Sequence, residues 1–316
     1  MYLGIDVSKK TIDCCLISDG IFFERRFENG QSGFKKLQDW LIKHGATDKL
    51  HCCCEATGKY YEALADCLAE SYTMSVENPR KIKGFATAVL LRSKTDKQDA
   101  KLIAQYCKAV SPEPWQKPTP EQTRLKELTQ YLSRLKRQKA SEQTKKQTAP
   151  DYLVPYLQST IDHLAGQIKS VQKLIQDFYR QNPQYRQQKE RLQTIDGVGD
   201  NAANSLLAVL SRNQRFQSAA QFVAYLGLDP KIRQSGTSVN SKAGISKVGN
   251  TQLRTALFIP AMHAYRSETF KTFTARLKAN GKRPKQIIVA LMRKLAVIAY
   301  HLIKTGKDFE PERYTG

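Results

Sequence analysis

The sequence predicts an α/β domain at the N-terminus followed by two helical regions, and three observations carry that reading. Three strand-like segments open the chain and then give way to alternating helix-like and strand-like ones. A stretch at residues 111–120 with four prolines in ten positions breaks this pattern. Beyond it, apolar residues recur at heptad spacing, and then short helical segments punctuated by glycine take over. A length of 316 residues also exceeds what one core usually supports. Three regions are therefore expected: an α/β domain over 1–115, antiparallel coiled-coil or dimerisation helices over 116–189, and a mostly α-helical domain over 190–316 with helix-hairpin-helix-like turns.

MYLGIDVS, TIDCCLIS and IFFERRFE read as strands, with Asp19-Gly20 as the hairpin turn between the second and third. Phe34, Leu37 and Leu41 stand at helical spacing before Gly45; HCCCEAT reads as a buried strand, YYEALADCLAE as a helix, and TMSVEN as a strand closed by Pro79. Thr95 followed by Gln98 resembles a capping box, so a helix is expected from about Thr95 to Ala109, with Asp96 and Asp99 on one face. Leu125, Leu128, Leu132 and Leu135, then Leu157, Ile161, Leu164, Ile168, Val171, Ile175 and Phe178, predict two antiparallel helices. Whether these close on each other or pair between subunits stays open. Two glycine-marked turns follow, around Gly197-Val198-Gly199 and Lys247-Val248-Gly249-Asn250. Such turns either present backbone N–H groups to a phosphate or simply connect helices.

Charge narrows the function classes. With 51 Lys and Arg against 29 Asp and Glu the chain carries +22, and its pI is near 9.7. Residues 1–110 hold 17 basic and 14 acidic side chains, a net +3, so 34 against 15 leave +19 for residues 111–316. A polyanionic partner is implied, and nucleic acid leads, because no amphipathic anchor argues for a membrane. No run of 18 apolar residues occurs, the last apolar segment contains Arg293 and Lys294, and MYLGIDVSKK has its charges after its apolar stretch, unlike a signal peptide. A cytoplasmic protein is expected. Seven cysteines without a CxxC pair fit small core residues in a reducing compartment better than a zinc site.

The acids point to chemistry. Asp6 stands inside the apolar run Leu3-Gly4-Ile5-Asp6-Val7, and Glu55 ends Cys52-Cys53-Cys54. A carboxylate in a strand that reads as buried is costly unless paired or metal-bound. With Asp96 and Asp99 on a helix packed across those strand ends, four carboxylates would surround one pocket with the oxygen ligands that Mg²⁺ prefers. Each acid also has a structural explanation of its own, a nearby lysine for Asp6 and a helix N-terminus for Asp96.

Leu3-Gly4-Ile5-Asp6-Val7-Ser8-Lys9, Cys54-Glu55-Ala56-Thr57-Gly58 and Lys94-Thr95-Asp96-Lys97-Gln98-Asp99-Ala100 resemble the N-terminal domain of the DEDD transposases of bacterial insertion sequences, kin to the Piv-type site-specific DNA invertases. Gly197-Val198-Gly199, Tyr225-Leu226-Gly227-Leu228-Asp229-Pro230, Gln234-Ser235-Gly236 and Lys247 to Arg254 are similar to the same family's C-terminal domain. The resemblance implies a ribonuclease H-like first domain, like that of Holliday-junction resolvases, with a Mg²⁺-binding tetrad at Asp6, Glu55, Asp96 and Asp99. It implies a nucleophilic serine at Ser235, with Ser238 and Ser241 close by in a Gly- and Ser-rich segment. Lys231, Arg233, Lys242, Lys247 and Arg254 flank that serine and read as phosphate ligands or, singly, as merely solvated cations. Double-stranded donor and target DNA and a non-coding bridge RNA are the implied partners. Recombination joins four DNA ends, so a homodimer that pairs into a tetramer on DNA is expected. The competing readings are a protein-guided invertase or junction-resolving nuclease, and a non-catalytic nucleic-acid-binding protein.

Overall fold

The computed structural model describes residues 1–90, 96–211, 216–231, 234–235, 239–240 and 244–315, and of residues 96, 97, 234, 235, 239 and 240 the backbone alone. The chain divides into two compact units, Met1–Lys117 and Pro118–Gly316. Mixed α/β structure is confined to the first; the second is mostly helical.

The first unit runs β1 (Tyr2–Val7), β2 (Thr11–Ser18), β3 (Ile21–Glu28), α1 (Gln31–Lys43), β4 (His51–Glu55), α2 (Glu62–Ala69), β5 (Thr73–Glu77), α3 (Pro79–Ala88) and α4 (Asp96–Val110). The first three strands form the expected meander. Asp19 and Gly20 have φ of 49° and 84°, the paired positive values that a two-residue hairpin loop requires. The sheet is mixed, in the order β3-β2-β1-β4-β5, with β2 antiparallel to its neighbours and β4 parallel to both β1 and β5.

Strand alternation sorts the side chains between two helical layers. Leu3, Ile5 and Val7 of β1, Ile12, Cys14 and Leu16 of β2, and Cys52 and Cys54 of β4 share a core with Phe34, Leu37, Trp40 and Leu41 of α1 and Leu64, Ala65 and Leu68 of α2. Cys53 faces the other way, among Ile82 of α3 and Leu102, Ile103, Tyr106 and Cys107 of α4. The adjacent cysteines thus part to opposite faces, buried and unbridged. On the second face α4 lies directly on the strand backbone at Gly4. A Cβ there would come within 2.1 Å of the Ala104 amide nitrogen and 2.2 Å of the Ala100 carbonyl oxygen, so only glycine permits the crossing.

The second unit opens with α5 (Pro120–Gln147) and α6 (Val154–Gln181), which pack against each other. A capping box between Thr119 and Gln122 starts α5. Leu125, Leu132 and Leu135 meet Leu164, Val171, Ile175 and Phe178 in a core that extends through the unit. There follow α7 (Pro183–Gln193), α8 (Asp200–Leu210), α9 (Ala219–Leu226), the two-residue strands β6 (Pro230–Lys231), β7 (Gln234–Ser235), β8 (Val239–Asn240) and β9 (Gly244–Ile245), then α10 (Thr251–Ala264), α11 (Lys271–Ala279), α12 (Pro284–Thr305) and α13 (Glu312–Thr315). Among the described residues α12 is the one helix long and apolar enough to cross a membrane by length and composition. Its Ile287, Leu291, Leu295, Ile298 and Leu302 are buried in the unit's core, so it is packed as a core helix.

Candidate active site

The first unit gathers carboxylates in a row across one end of its sheet. Asp6 pairs in register with Asp13 of β2, and Glu55 with Glu77 of β5. β1 and β4 pair Ile5 with Cys54, so the next step sets Asp6 beside Glu55. Alternation places all four acids on the face of Gly4, Cys53, Cys15 and Ser75, the face that α4 covers. The result is a row of acids, Asp13, Asp6, Glu55 and Glu77, one from each of four adjacent strands that lie about 4.8 Å apart.

The helix brings the remaining two to the same end. Cys107 Sγ donates to the His51 carbonyl at the start of β4, 3.5 Å away, while Ala100 and Ala104 lie over Gly4 near the middle of β1. The helix therefore runs back across the strands, and its first turn, with Asp96 and Asp99, lies toward the ends that carry Asp6 and Glu55. The Asp96 side chain, Arg233, Lys242 and the Ser235 side chain lie outside the described residues, as do Thr95, Ser238 and Ser241.

The outer acids of the row carry their own cations. Asp13, only 5% exposed, takes the Arg26 Nε on both carboxylate oxygens at 2.9 and 3.1 Å. Glu77, 8% exposed, lies 2.9 Å from Lys81 Nζ and accepts from the Asn78 amide at 3.1 Å. Sequence reasoning missed both acids, although each shows the signal that singled out Asp6 and Glu55, a carboxylate within or at the end of an apolar strand. The negative potential is felt nearby. A hydrogen bond with Cys107 and burial hold the Cys53 thiol far above its usual range, with Glu77 and Glu55 adding to the rise. Burial, with Glu77 next, pushes the Tyr106 phenol up to about 12.

Among the described residues no three His, Cys, Asp or Glu side chains form a group able to hold a metal ion as they stand. The donor chemistry of the predicted tetrad nevertheless fits a hard divalent cation: two carboxylates on neighbouring parallel strands and two on the helix turn above, with oxygen as the donor throughout.

In the second unit, Ser235 lies in a short ribbon. β7 pairs Ser235 with Val239 of β8, and β6 pairs with β9 beneath it. The ribbon's base is fastened where Ser246 Oγ donates to Asp229 Oδ1 at 2.5 Å. The two glycine turns are built differently. Gly197, with φ of 82°, has His263 Cβ 2.6 Å from where its own Cβ would stand, so this turn is packed against α10; Gly199 has open space and leads directly into α8. The 247–250 turn interlocks with the end of α9. Gly249 leaves no room for a Cβ against the Tyr225 carbonyl oxygen, and Arg254 Nη1 donates to the Leu226 carbonyl at 2.8 Å. Arg254 thus caps a helix, whereas Lys231 and Lys247 are exposed.

Comparison with known proteins gives the class first: residues 3–149 match a transposase family model of the DEDD, IS110 type, and residues 189–276 match a model of the transposase IS116/IS110/IS902 family. The chain is 35% identical to a pilin gene-inverting protein of Moraxella lacunata over 98% of its own length and 97% of the relative's, and 34% identical to that of Moraxella bovis over the same shares. It is 22% identical to the transposase for insertion sequence element IS1111A of Coxiella burnetii over 97% of the chain and 90% of that protein. The chain belongs to the IS110 family of transposases and recombinases, which act on DNA. A DEDD-type domain also carries a general dependence on divalent cations.

Proposed function

We propose that this protein exchanges DNA strands between two sites, with Ser235 as nucleophile and Asp6, Glu55, Asp96 and Asp99 as the holders of Mg²⁺. In this reading the first unit is a ribonuclease H-like catalytic domain. Its mixed sheet, a three-stranded meander continued by parallel strands, supports that assignment. The observation that carries the proposal is the meeting of Asp6 and Glu55 on adjacent strands beneath the α4 turn that bears Asp96 and Asp99. Ser235 Oγ attacks a phosphodiester, forming a serine–phosphate ester and releasing a deoxyribose hydroxyl; reversal by another strand's hydroxyl restores the serine. A serine hydroxyl is a weak nucleophile without a base or metal to help it. Bound to the acids, a divalent cation would stabilise charge on the transferring phosphoryl group.

The remaining assignments have lesser roles. Lys231, Arg233, Lys242, Lys247 and Arg254, with the backbone at Gly197 and Gly199, hold phosphates. The α5–α6 pair, whose apolar seam closes within the chain, meets a second copy through its outer face, the dimer forms a tetramer on DNA, and the protein works in the cytoplasm. A bridge RNA reads donor and target by base pairing, as the resemblance to the insertion-sequence transposases implies. One observation favours a second reading, inversion of a DNA segment, which a protein-guided invertase would carry out without RNA. The relatives at 34–35% identity over nearly the whole chain are pilin gene-inverting proteins.

Purified protein incubated with paired sites and Mg²⁺ tests the proposal. A denaturant-resistant protein–DNA adduct is expected for the wild type and not for Ser235→Ala; an undiminished adduct in the variant would move the nucleophile elsewhere. Strand exchange that needs a copurifying RNA selects the guided reading, and exchange that survives ribonuclease treatment selects inversion by protein alone.

A further inference from the structure

One strongly charged surface takes no part in the site described above. From Thr269 to Lys307 the chain has ten Lys and Arg and no Asp or Glu, and all but its first eight residues lie beyond the family-matched segment that ends at 276. Folding concentrates this charge. The inner face of α12 goes to the core through Ile287, Leu291 and Leu295, which leaves the cations on the outside and at the turn that joins α11 to α12. Gly281 makes that turn with φ of 69°. Lys278, Lys282, Arg283 and Lys285, at or beside it, are all exposed. Among the described residues the run's one ion pair is Lys271 with Glu268, so none of these four is answered by a carboxylate.

Aromatic rings hold part of this charge in place. Lys278 Nζ lies 5.0 Å from the Tyr265 ring centroid, the Arg276 guanidinium 5.5 Å from that of Phe273, and Lys294 Nζ 4.4 Å from the same ring. Burial, and then the Arg276 charge, pulls the Lys294 ammonium below its ordinary pKa. Cations crowded without counter-charge cost folding energy that a polyanion recovers. Cations already seated on rings also lose less freedom when a ligand arrives.

We propose that the α11–α12 turn, through Lys278, Lys282, Arg283 and Lys285, is a grip on the phosphate backbone of duplex DNA, separate in sequence from the contacts assigned between residues 197 and 254. The inference rests on the reading of the chain as an enzyme acting on DNA. A duplex is the occupant that fits, because the exposed groups at the turn are cations. Among the described residues no fully exposed large aromatic side chain lies there to stack an unpaired base, and the half-buried rings of Tyr265 and Phe273 are covered by Lys278 and Arg276.

The test uses the full-length protein, with fluorescence anisotropy on a duplex of arbitrary sequence and about 30 base pairs, and on a single-stranded RNA of the same length, across a salt series. The quadruple variant Lys278→Ala, Lys282→Ala, Arg283→Ala, Lys285→Ala is expected to bind the duplex about tenfold or more weakly. Its slope of log affinity against log salt should be shallower by roughly 3 to 4, since each neutralised phosphate contributes about 0.9. The charge-retaining variant Lys278→Arg, Lys282→Arg, Arg283→Lys, Lys285→Arg should bind like the wild type. If the quadruple variant folds poorly, Lys282→Ala/Arg283→Ala should still flatten the slope by about half as much. Unchanged duplex affinity and slope in the alanine variants would overturn the assignment, and so would a loss confined to RNA. A wild-type protein that binds no duplex would instead remove the reading on which the inference rests.

Discussion

Two regions of this chain, the acid row of the first unit and the α11–α12 turn of the second, treat charge in opposite ways. In Met1–Lys117 the cations beside the sheet's acid row, themselves exposed, are each paired with a nearly buried carboxylate: Arg26 with Asp13, and Lys81 with Glu77. In Pro118–Gly316 the turn at 278–285 leaves its cations facing outward without carboxylates. The first pattern fixes the electrostatics of a small region, which chemistry at a phosphate demands. The second keeps charge available to a large anion, which holding DNA demands. A strand-exchange enzyme needs both, and here they are divided along the sequence, as the net charges of +3 for residues 1–110 and +19 for the remainder foreshadow.

That contrast can be broken at several points. The largest effect is expected at Gly4, where α4 touches β1 backbone to backbone. Gly4→Val should destabilise the first unit by about 3 kcal/mol or more through overpacking, read by chemical denaturation, and strand exchange should vanish with the fold. Stability near that of the wild type would show that α4 is not seated on β1 as described. A smaller effect is expected at the ion pairs. Lys81→Met leaves a nearly buried carboxylate without its cation and should cost about 1 kcal/mol, discounted because the lysine is itself exposed; the double variant Glu77→Gln/Lys81→Met should recover part of it. The same truncation at Lys282 should leave the unfolding midpoint unchanged. Equal costs at Lys81 and Lys282 would erase the distinction between the units.

The fold was legible in the sequence wherever a local pattern specifies it. The strands at 2–7, 11–18 and 21–28 announce themselves by composition, and Asp19-Gly20 by its turn chemistry. The heptad spacing from Leu157 to Phe178 lies within one continuous 28-residue helix. What was not legible is nonlocal or weakly patterned. α3, over Pro79–Ala88, has only Ile82 fully buried, with Phe85 and Ala86 partly buried beside it, a stripe of three residues too short to fix a helix by itself. The strand order, with β1 between β2 and β4, depends on pairings between distant segments. Because Asp13 and Glu77 become neighbours of Asp6 and Glu55 only through that pairing, the sequence suggests two acidic strands where the sheet aligns four. The ribbon at Ser235 is made of two-residue strands, too short for any period to appear.

If the acids at the end of this sheet do the chemistry, removing one of them separates reaction from binding. The direct measurement compares Asp99→Ala with the wild type on a plasmid carrying paired recombination sites, scoring recombinant product and duplex affinity in the same preparation. Loss of recombinant product by at least two orders of magnitude, with affinity for the duplex kept within about threefold, is the predicted result, as expected for a group that acts in the transition state rather than in binding. Recombination at the wild-type rate in the variant would contradict the account.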